Sequence, residues 1–487
     1  MRPTLRRRRI APALLLLAAA FAPAAAAPPR DERPNIVFIL ADDLGWTDLA
    51  CQGSRYYETP HIDRLAATGM RFTDAYTCGP NCQPTRAALM SGQYGPRTGV
   101  YTVGSIERFD WRRRPLRPVD NVEKLPLDKI TLPQALKAGG YATGMFGKWH
   151  LGERDEYHPS RRGFDEAVTS MGRHFHFATQ PPVEHPKEAY LADWLTDRAE
   201  DFIRRHRDRP FFLYLAHFAV HAPLEAKPDL VERFKPKPAA GGHQNPVYAA
   251  MIASLDESVG RILRLLDELT LSEKTLVLFS SDNGGVGGYV REGIKQAGDI
   301  TDNAPLRSGK GSLHEGGIRV PFIARWPGRI APGAVSDRPI NSVDLYPTLL
   351  ELAGVPAPAG YVLDGTSFAG LLLGREVPPR GPLFWHFPGY LGAGQDTWRT
   401  TPVGVVRHGD WKLMEFFEDG RLELYNLRED LGEKRNLAAE HPDRARELKD
   451  RLEAWRKEIG APLPRPKTEA DLRGPAPAPG RKRANKP

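Results

Sequence analysis

Three short runs set the strongest limit on what this chain can fold into. Residues 35–40 (NIVFIL), 211–215 (FFLYL) and 275–280 (TLVLFS) are apolar almost throughout, with no alternation of polar positions. A run of this kind suits a strand covered on both faces, as in the interior of a largely parallel sheet. Between the runs lie stretches with helical spacing, at 131–138, 191–206 and 248–269. The alternation predicts an α/β sandwich, a mostly parallel central sheet with helices on both faces, over residues 34–375. After residue 376 the texture changes. Residues 409–427 read as two short strands around the turn Asp419-Gly420. Pro442 then opens a helix that lines up Leu448, Leu452, Trp455 and Ile459 on one face. These features predict a small C-terminal α+β subdomain at 376–462. A chain of 487 residues has room for one large core and such a second unit.

The two ends of the chain carry most of its charge. Arg2 and Arg6 to Arg9 precede the apolar run 10–21, and Ala24 to Ala27 offers small residues for cleavage. Residues 1–27 therefore read as a secretory signal peptide, and the expected location is periplasmic or secreted. The run is short for a bilayer span and no cysteine follows it, so no stable membrane anchor is expected. The formal charge is +8, but this leader carries five arginines and no acid, leaving +3. Residues 463–487 hold seven basic and two acidic residues, so the body between is near −2. The basic pI belongs to the ends, and nucleic-acid binding is not expected. The Pro- and Ala-rich tail at 463–487 reads as disordered.

Two polar groups follow predicted strands directly. Asp42 and Asp43 come after 35–40, and Asp282 and Asn283 after 275–280. Both lie at carboxyl ends of strands, where open α/β sheets place their sites. Three carboxylates brought together repel unless a cation joins them, and oxygen ligands point to Ca²⁺ or Mg²⁺ rather than zinc. A third group is Cys82-Gln83-Pro84-Thr85-Arg86, followed by Ala87 to Gly92. Pro84 suits a first helical turn and Gly92 its end, which sets Cys82 at a helix N-terminus with Arg86 on the same side. An unmodified thiol there is expected to ionise readily. The other cysteines, Cys51 and Cys78, could pair or lie buried as small apolar residues.

The Cys-x-Pro-x-Arg core with its Ala-Ala-Leu-Met-Ser-Gly continuation and the upstream Asp-Asp resembles the formylglycine-dependent sulfatases. Further motifs follow in that family's order: Gly147-Lys148-Trp149-His150, Ala219-Val220-His221-Ala222-Pro223, Ser281 to Gly285, Lys310 with Glu315 to Pro321, Asp364-Gly365-Thr366 and Gly409 to Leu413. The resemblance implies an alkaline-phosphatase-like fold and sulfate ester hydrolysis. It implies that a separate maturation enzyme converts Cys82 to formylglycine. Asp42, Asp43, Asp282, Asn283 and the modified Cys82 are then expected to hold Ca²⁺. Arg86, Lys148 and Lys310 are expected to neutralise oxygen charge, His221 to protonate the leaving alcohol, and His150 to accept a proton from the hydrated aldehyde. A phosphatase or phosphonate monoester hydrolase on the same scaffold is the second reading.

The leaving alcohol is less clearly written. Phe384 to Tyr390 with Trp398 form an aromatic cluster suited either to a sugar ring or to packing between domains. The stretch 108–117, with Arg112-Arg113-Arg114, could steer a polyanion or simply be a solvated face. Together they favour a sulfated carbohydrate. Two further histidines stand near the motifs: His217 rivals His221 for its role, and His314 is open either to a polar contact with substrate or to packing.

Overall fold

A computed structural model describes residues 33–294, 298–394 and 397–472. The leader expected at 1–27 lies outside these residues. The central sheet contains β1 (Asn35–Ala41), β2 (Met70–Phe72), β3 (Ala142–Gly147), β4 (Glu166–Thr169), β5 (Phe211–Ala216), β6 (Thr275–Ser281), β7 (Phe322–Arg325) and β8 (Ala334–Ser336). Their order is β8-β2-β7-β6-β1-β5-β3-β4. The five from β6 to β4 pair in parallel, and β7 runs against both of its neighbours.

Each apolar run is a strand buried along its whole length, and successive side chains serve opposite layers. Val37, Ile39, Leu213 and Val277 face one layer, formed by α1 (Pro60–Ala67), α4 (Leu191–His206) and α5 (Pro246–Glu268). Ile36, Phe38, Phe212 and Leu276 face the other, formed by α2 (Cys82–Ser91), α3 (Leu132–Ala138) and α6 (Leu345–Ala353). Helix α5 starts two residues before the predicted position, because the Asn245 side chain accepts from the Val247 and Tyr248 amides.

A four-stranded antiparallel sheet forms the C-terminal part: β9 (Leu383–Phe387), β10 (Val403–His408), β11 (Trp411–Phe416) and β12 (Leu422–Asn426). The predicted hairpin is β11 and β12. Leu448, Leu452 and Trp455 of α7 (Pro442–Ile459) cover one face, against Leu413 and Leu424. Trp385, Phe387, Val405 and Met414 pack the other face onto Leu313 and Ile318 of the main body. Buried ion pairs cross this junction. Lys412 Nζ lies 2.9 Å from Glu315, and Arg407 Nη2 lies 2.5 Å from Asp74.

The tail departs from expectation over its first ten residues. Arg465–Pro466 pairs with Leu116–Arg117, and Asp471 binds both Arg465 and Arg117. The sequence there is Pro-rich but still has an edge to pair with, so 463–472 is ordered. The remainder, 473–487, lies outside the described residues. No helix among the described residues is long and apolar enough to cross a membrane.

Candidate active site

Four neighbouring parallel strands deliver the candidate residues to one edge of the sheet. β1 ends into Asp42 and Asp43, β6 into Asp282 and Asn283, β3 into Lys148 and His150, and β5 into the loop bearing His221. Their order β6-β1-β5-β3 makes the loops adjacent, although 240 residues separate Asn283 from Asp43. Backbone bonds lock the loops together. The Asp42 amide donates to the Ala219 carbonyl at 2.9 Å, and the Val220 amide donates to the Asp42 carbonyl at 2.8 Å. Gly147 matters here: a Cβ at this position would meet the Ala216 carbonyl oxygen at 1.9 Å. That close approach lets the Lys148 amide donate to the same oxygen at 2.7 Å. Asp43 and His150 are themselves left-handed, with φ of 65° and 62°. Such backbone is uncommon outside glycine and marks both as held by their surroundings.

Helix α2 begins at Cys82, with Pro84 in its first turn and a left-handed Gly92 (φ 67°) closing it. Cys82 Sγ lies 3.4 Å from Asp42 Oδ1 and 3.9 Å from Asp43 Oδ1. Arg86 reaches sideways: Nε and Nη2 lie 2.9 Å and 2.7 Å from Asp282 Oδ2, and Nη1 donates to the Lys148 carbonyl at 2.6 Å. Lys148 Nζ lies 2.5 Å from Asp42 Oδ2, and Lys310 Nζ lies 2.7 Å from both oxygens of Asp43. His221 Nε2 is 3.6 Å from Asp43 Oδ2. The buried His150 Nδ1 has no hydrogen-bond partner among the described residues. All the residues singled out from sequence as catalytic or metal-binding therefore meet in one centre.

Burial raises the Asp42 carboxyl, but Lys148, His221, Arg86 and Lys310 outweigh it and hold the group well below the usual range. Asp43 is lowered likewise, with Lys310 and His221 prevailing over burial. Asp282 goes the other way: burial and the charge of Asp42 push it up to about 6 despite Arg86. Burial and then Asp282 also push the Cys82 thiol up, more strongly than Lys148 and Lys310 lower it. The readily ionised thiol expected from the helix N-terminus is thus not found. Burial is the larger cause, and the carboxylate that adds to it follows a distant strand. Burial, Lys148 and Arg86 hold the His150 pKa well below its ordinary value, favouring the neutral ring. Burial lowers His221 too, against the pull of Asp43 and Asp42.

The centre fits a hard cation. Ligand atoms of Asp42, Asp43, Cys82 and His221 lie within 4.8 Å of one another. Asn283 donates through Nδ2 to Asp43 Oδ1 at 2.8 Å, while its buried Oδ1 has no hydrogen-bond partner. An orphaned amide oxygen beside three buried carboxylates is a donor set for an oxygen-seeking ion such as Ca²⁺.

Above the centre opens a cavity of 330 Å³, lined by Cys82, His150, His221 and Lys310 together with Arg108, Phe109 and Arg399. The last residue was not anticipated, and no local motif surrounds it. The aromatic cluster resolves mainly as packing: Trp385 and Phe387 are core residues of β9, and Trp385 Nε1 donates to the Thr77 carbonyl at 2.6 Å. His217 is buried with Nε2 3.0 Å from Ser258 Oγ, away from the cavity lining. His314 lies 3.4 Å from Glu423. Cys51 and Cys78 remain unpaired thiols.

Comparison with known proteins agrees with this geometry. A family model described as Sulfatase matches residues 34–355, and one described as N-sulphoglucosamine sulphohydrolase, C-terminal, matches 309–458. A sulfatase of Formosa agariphila is 36% identical, covering 89% of this chain and 90% of its own length. The human N-acetylgalactosamine-6-sulfatase is 36% identical over 80% of this chain and 73% of its own. The crystal structure of Ps i-CgsB in complex with k-i-k-neocarrahexaose superposes with a TM-score of 0.72 at 28% identity, covering 87% of this chain and 92% of that one.

Proposed function

The chain belongs to the sulfatase family of the alkaline-phosphatase-like superfamily and is a sulfuric ester hydrolase, and from that premise we propose that it desulfates a carbohydrate, using a formylglycine hydrate made from Cys82 beside a bound Ca²⁺. The observation that carries this reading is the single buried centre in which Cys82 sits 3.4 Å from Asp42, amid Lys148, Lys310 and two histidines. A thiol pushed towards its protonated form is a poor nucleophile as it stands, which favours its conversion to an aldehyde. The hydrated aldehyde supplies a geminal diol, so that sulfate can leave by elimination rather than by attack of water on sulfur. Ca²⁺, held by Asp42, Asp43, Asp282, Asn283 and residue 82, supplies a fixed positive charge that favours the ionised nucleophile.

The remaining chemistry falls to the side chains. Lys148 and Lys310 offset charge on the sulfate oxygens as the S–O bond to the alcohol breaks, and Arg86 holds Asp282 and the Lys148 backbone in place. His221 donates a proton to the departing alcohol oxygen; a sulfate arriving beside it adds negative charge and favours its protonated form. His150, kept neutral by burial and two cations, accepts the proton of the second hydroxyl on residue 82. The carbohydrate assignment draws on the sugar named in the human relative and the oligosaccharide bound to Ps i-CgsB. The Arg-rich, apolar leader at 1–27 supports export to the periplasm or exterior.

Two measurements test the reading. On matched 4-nitrophenyl esters we expect kcat/KM for the sulfate to exceed that for the phosphate by about 10²-fold or more. The reverse order would make the chain a phosphatase on this scaffold. For His221→Ala we expect a loss of about 10²-fold on a sugar sulfate and a clearly smaller loss on 4-nitrophenyl sulfate, whose phenolate leaves without a proton. His150→Ala acts after the alcohol has gone, so it should show a burst of alcohol release with either ester. Equal leaving-group sensitivity in both variants, with no burst, would overturn the division of roles.

A further inference from the structure

We propose that Arg108 and Arg399 form a second anion site in the cavity over Cys82, which takes a carboxylate or a second sulfate carried by the same saccharide whose ester is cleaved. The inference rests on the sulfatase reading of the centre below.

The basic stretch 108–117 provides the contrast that singles out Arg108. Arg112 pairs with Glu107 at 2.6 Å, Arg113 with Asp110 at 3.6 Å, and Arg117 with Asp120 at 2.8 Å. Arg114 pairs with Glu418. Most of the run is thus neutralised by its own acids. Arg108 has no ion-pair partner among the described residues. It donates only to the Val103 carbonyl at 3.3 Å, with its guanidinium 5.3 Å from the Phe109 ring centroid. It lines the cavity instead.

Arg399 meets it from the C-terminal part of the chain, 291 positions further on. Its guanidinium lies 4.4 Å over the ring of Tyr289, and the Tyr289 hydroxyl donates to the Lys310 carbonyl at 2.5 Å. Room for the side chain comes from Gly311, where a Cβ would lie 3.0 Å from Arg399 Cδ. Arg399 is therefore anchored to the same backbone that presents Lys310. It has no ion-pair partner among the described residues, and its buried Nε has no hydrogen-bond partner. The Arg108 guanidinium lies within electrostatic reach of Arg399 and of residue 82. No carboxylate is among the described residues that line the cavity. Two like charges turned into one cleft without an acid between them repel, and an anion placed there would satisfy both. Arginine favours planar, bidentate contact with a carboxylate or sulfate oxygens. The neighbouring Phe109, packed edge-on against Trp398 at 6.2 Å, adds apolar surface beside the charges.

The test measures binding to the full chain carrying Cys82→Ala, so that ligands are not consumed. The probes are N-acetylgalactosamine 6-sulfate, its 4,6-disulfate, and a disaccharide joining the 6-sulfated sugar to a uronic acid. We expect at least one doubly anionic probe to bind about tenfold tighter than the monosulfate. Which probe it is distinguishes sulfate from carboxylate. Arg108→Gln and Arg399→Gln should each remove most of that advantage while changing monosulfate affinity less than about threefold. Lysine at either position should restore part of the advantage. No preference for either doubly anionic probe, or a preference that survives both substitutions, would overturn the second site. Turnover of 4-nitrophenyl sulfate by the wild-type chain is measured alongside. Its absence would count against the sulfatase reading, while the binding comparison would still decide the second site.

Discussion

Asp282→Ala is expected to lower kcat/KM by at least about 10³-fold and to deplete the purified protein of its ion. Asp282 is wholly buried, accepts one bond from Arg86 Nε and one from the Asp43 amide, and has Arg86 Nη2 at an ion-pair distance of 2.7 Å. Its carboxyl is pushed up to about 6 by burial and by Asp42, so the protein bears a cost in keeping it ionised there. A cation among Asp42, Asp43, Asp282 and Asn283 relieves that cost. Removing the carboxylate takes away a ligand and leaves the Arg86 charge without its closest partner, which is expected to cost about 3 kcal/mol or more of stability. Asp282→Asn keeps the volume and one acceptor for Arg86, and should separate loss of the ion from loss of structure. The readouts are activity, metal content and a denaturant midpoint for both variants. Chelation should inactivate the wild type until Ca²⁺ or a similar hard ion is returned. Full activity in stripped protein would contradict the cation site.

Cys82→Ala should be more severe, with a loss of about 10⁴-fold or more in kcat on every sulfate ester. The substitution removes the Sγ that lies 3.4 Å from Asp42 and 3.9 Å from Asp43. The cations and histidines stay, so binding of a sulfated sugar should persist while turnover does not. Cys82→Ser is expected to be almost as inactive, because a serine carries one hydroxyl and offers no second one through which sulfate can be eliminated. Serine activity near that of the wild type would contradict the need for an aldehyde.

Most of the scaffold was legible because it is written in local periodicity. The runs at 35–40, 211–215 and 275–280 needed no partner to be identified as buried strands, and the strands formed by the first and third end directly before Asp42 and Asp282. Helix α2 was legible from Pro84 and Gly92, which bracket it with a permitted first turn and a left-handed cap. What escaped depends on long-range contact. The Cys82 thiol is raised first by burial and then by Asp282, 200 residues away, and a reading of the helix N-terminus alone gave the opposite sign. His217 stands four residues before the motif histidine His221 as a rival for its role, and its burial against Ser258 separates the two. The aromatic residues 384–387 carried no sign of their position in β9, where cross-strand pairing with β10 draws Trp385 and Phe387 inward. Glu315 and Lys412 stood in recognised motifs without an assigned role. The structure gives them one, a buried ion pair that ties the Lys310 loop to the C-terminal sheet. Arg399 was invisible for the same reason: it lies in no motif and acquires meaning only beside Arg108.

The central claim, that residue 82 works as an aldehyde hydrate, is tested most directly by the mass of its peptide in active enzyme. Exchange of CH₂SH for CHO lightens the peptide by about 18 Da relative to the thiol form, and the aldehyde forms a hydrazone with a hydrazine probe. The expected result is that specific activity across preparations rises in proportion to the fraction of peptide in the lighter form. Fully active protein whose Cys82 peptide carries only the unmodified thiol would contradict the account.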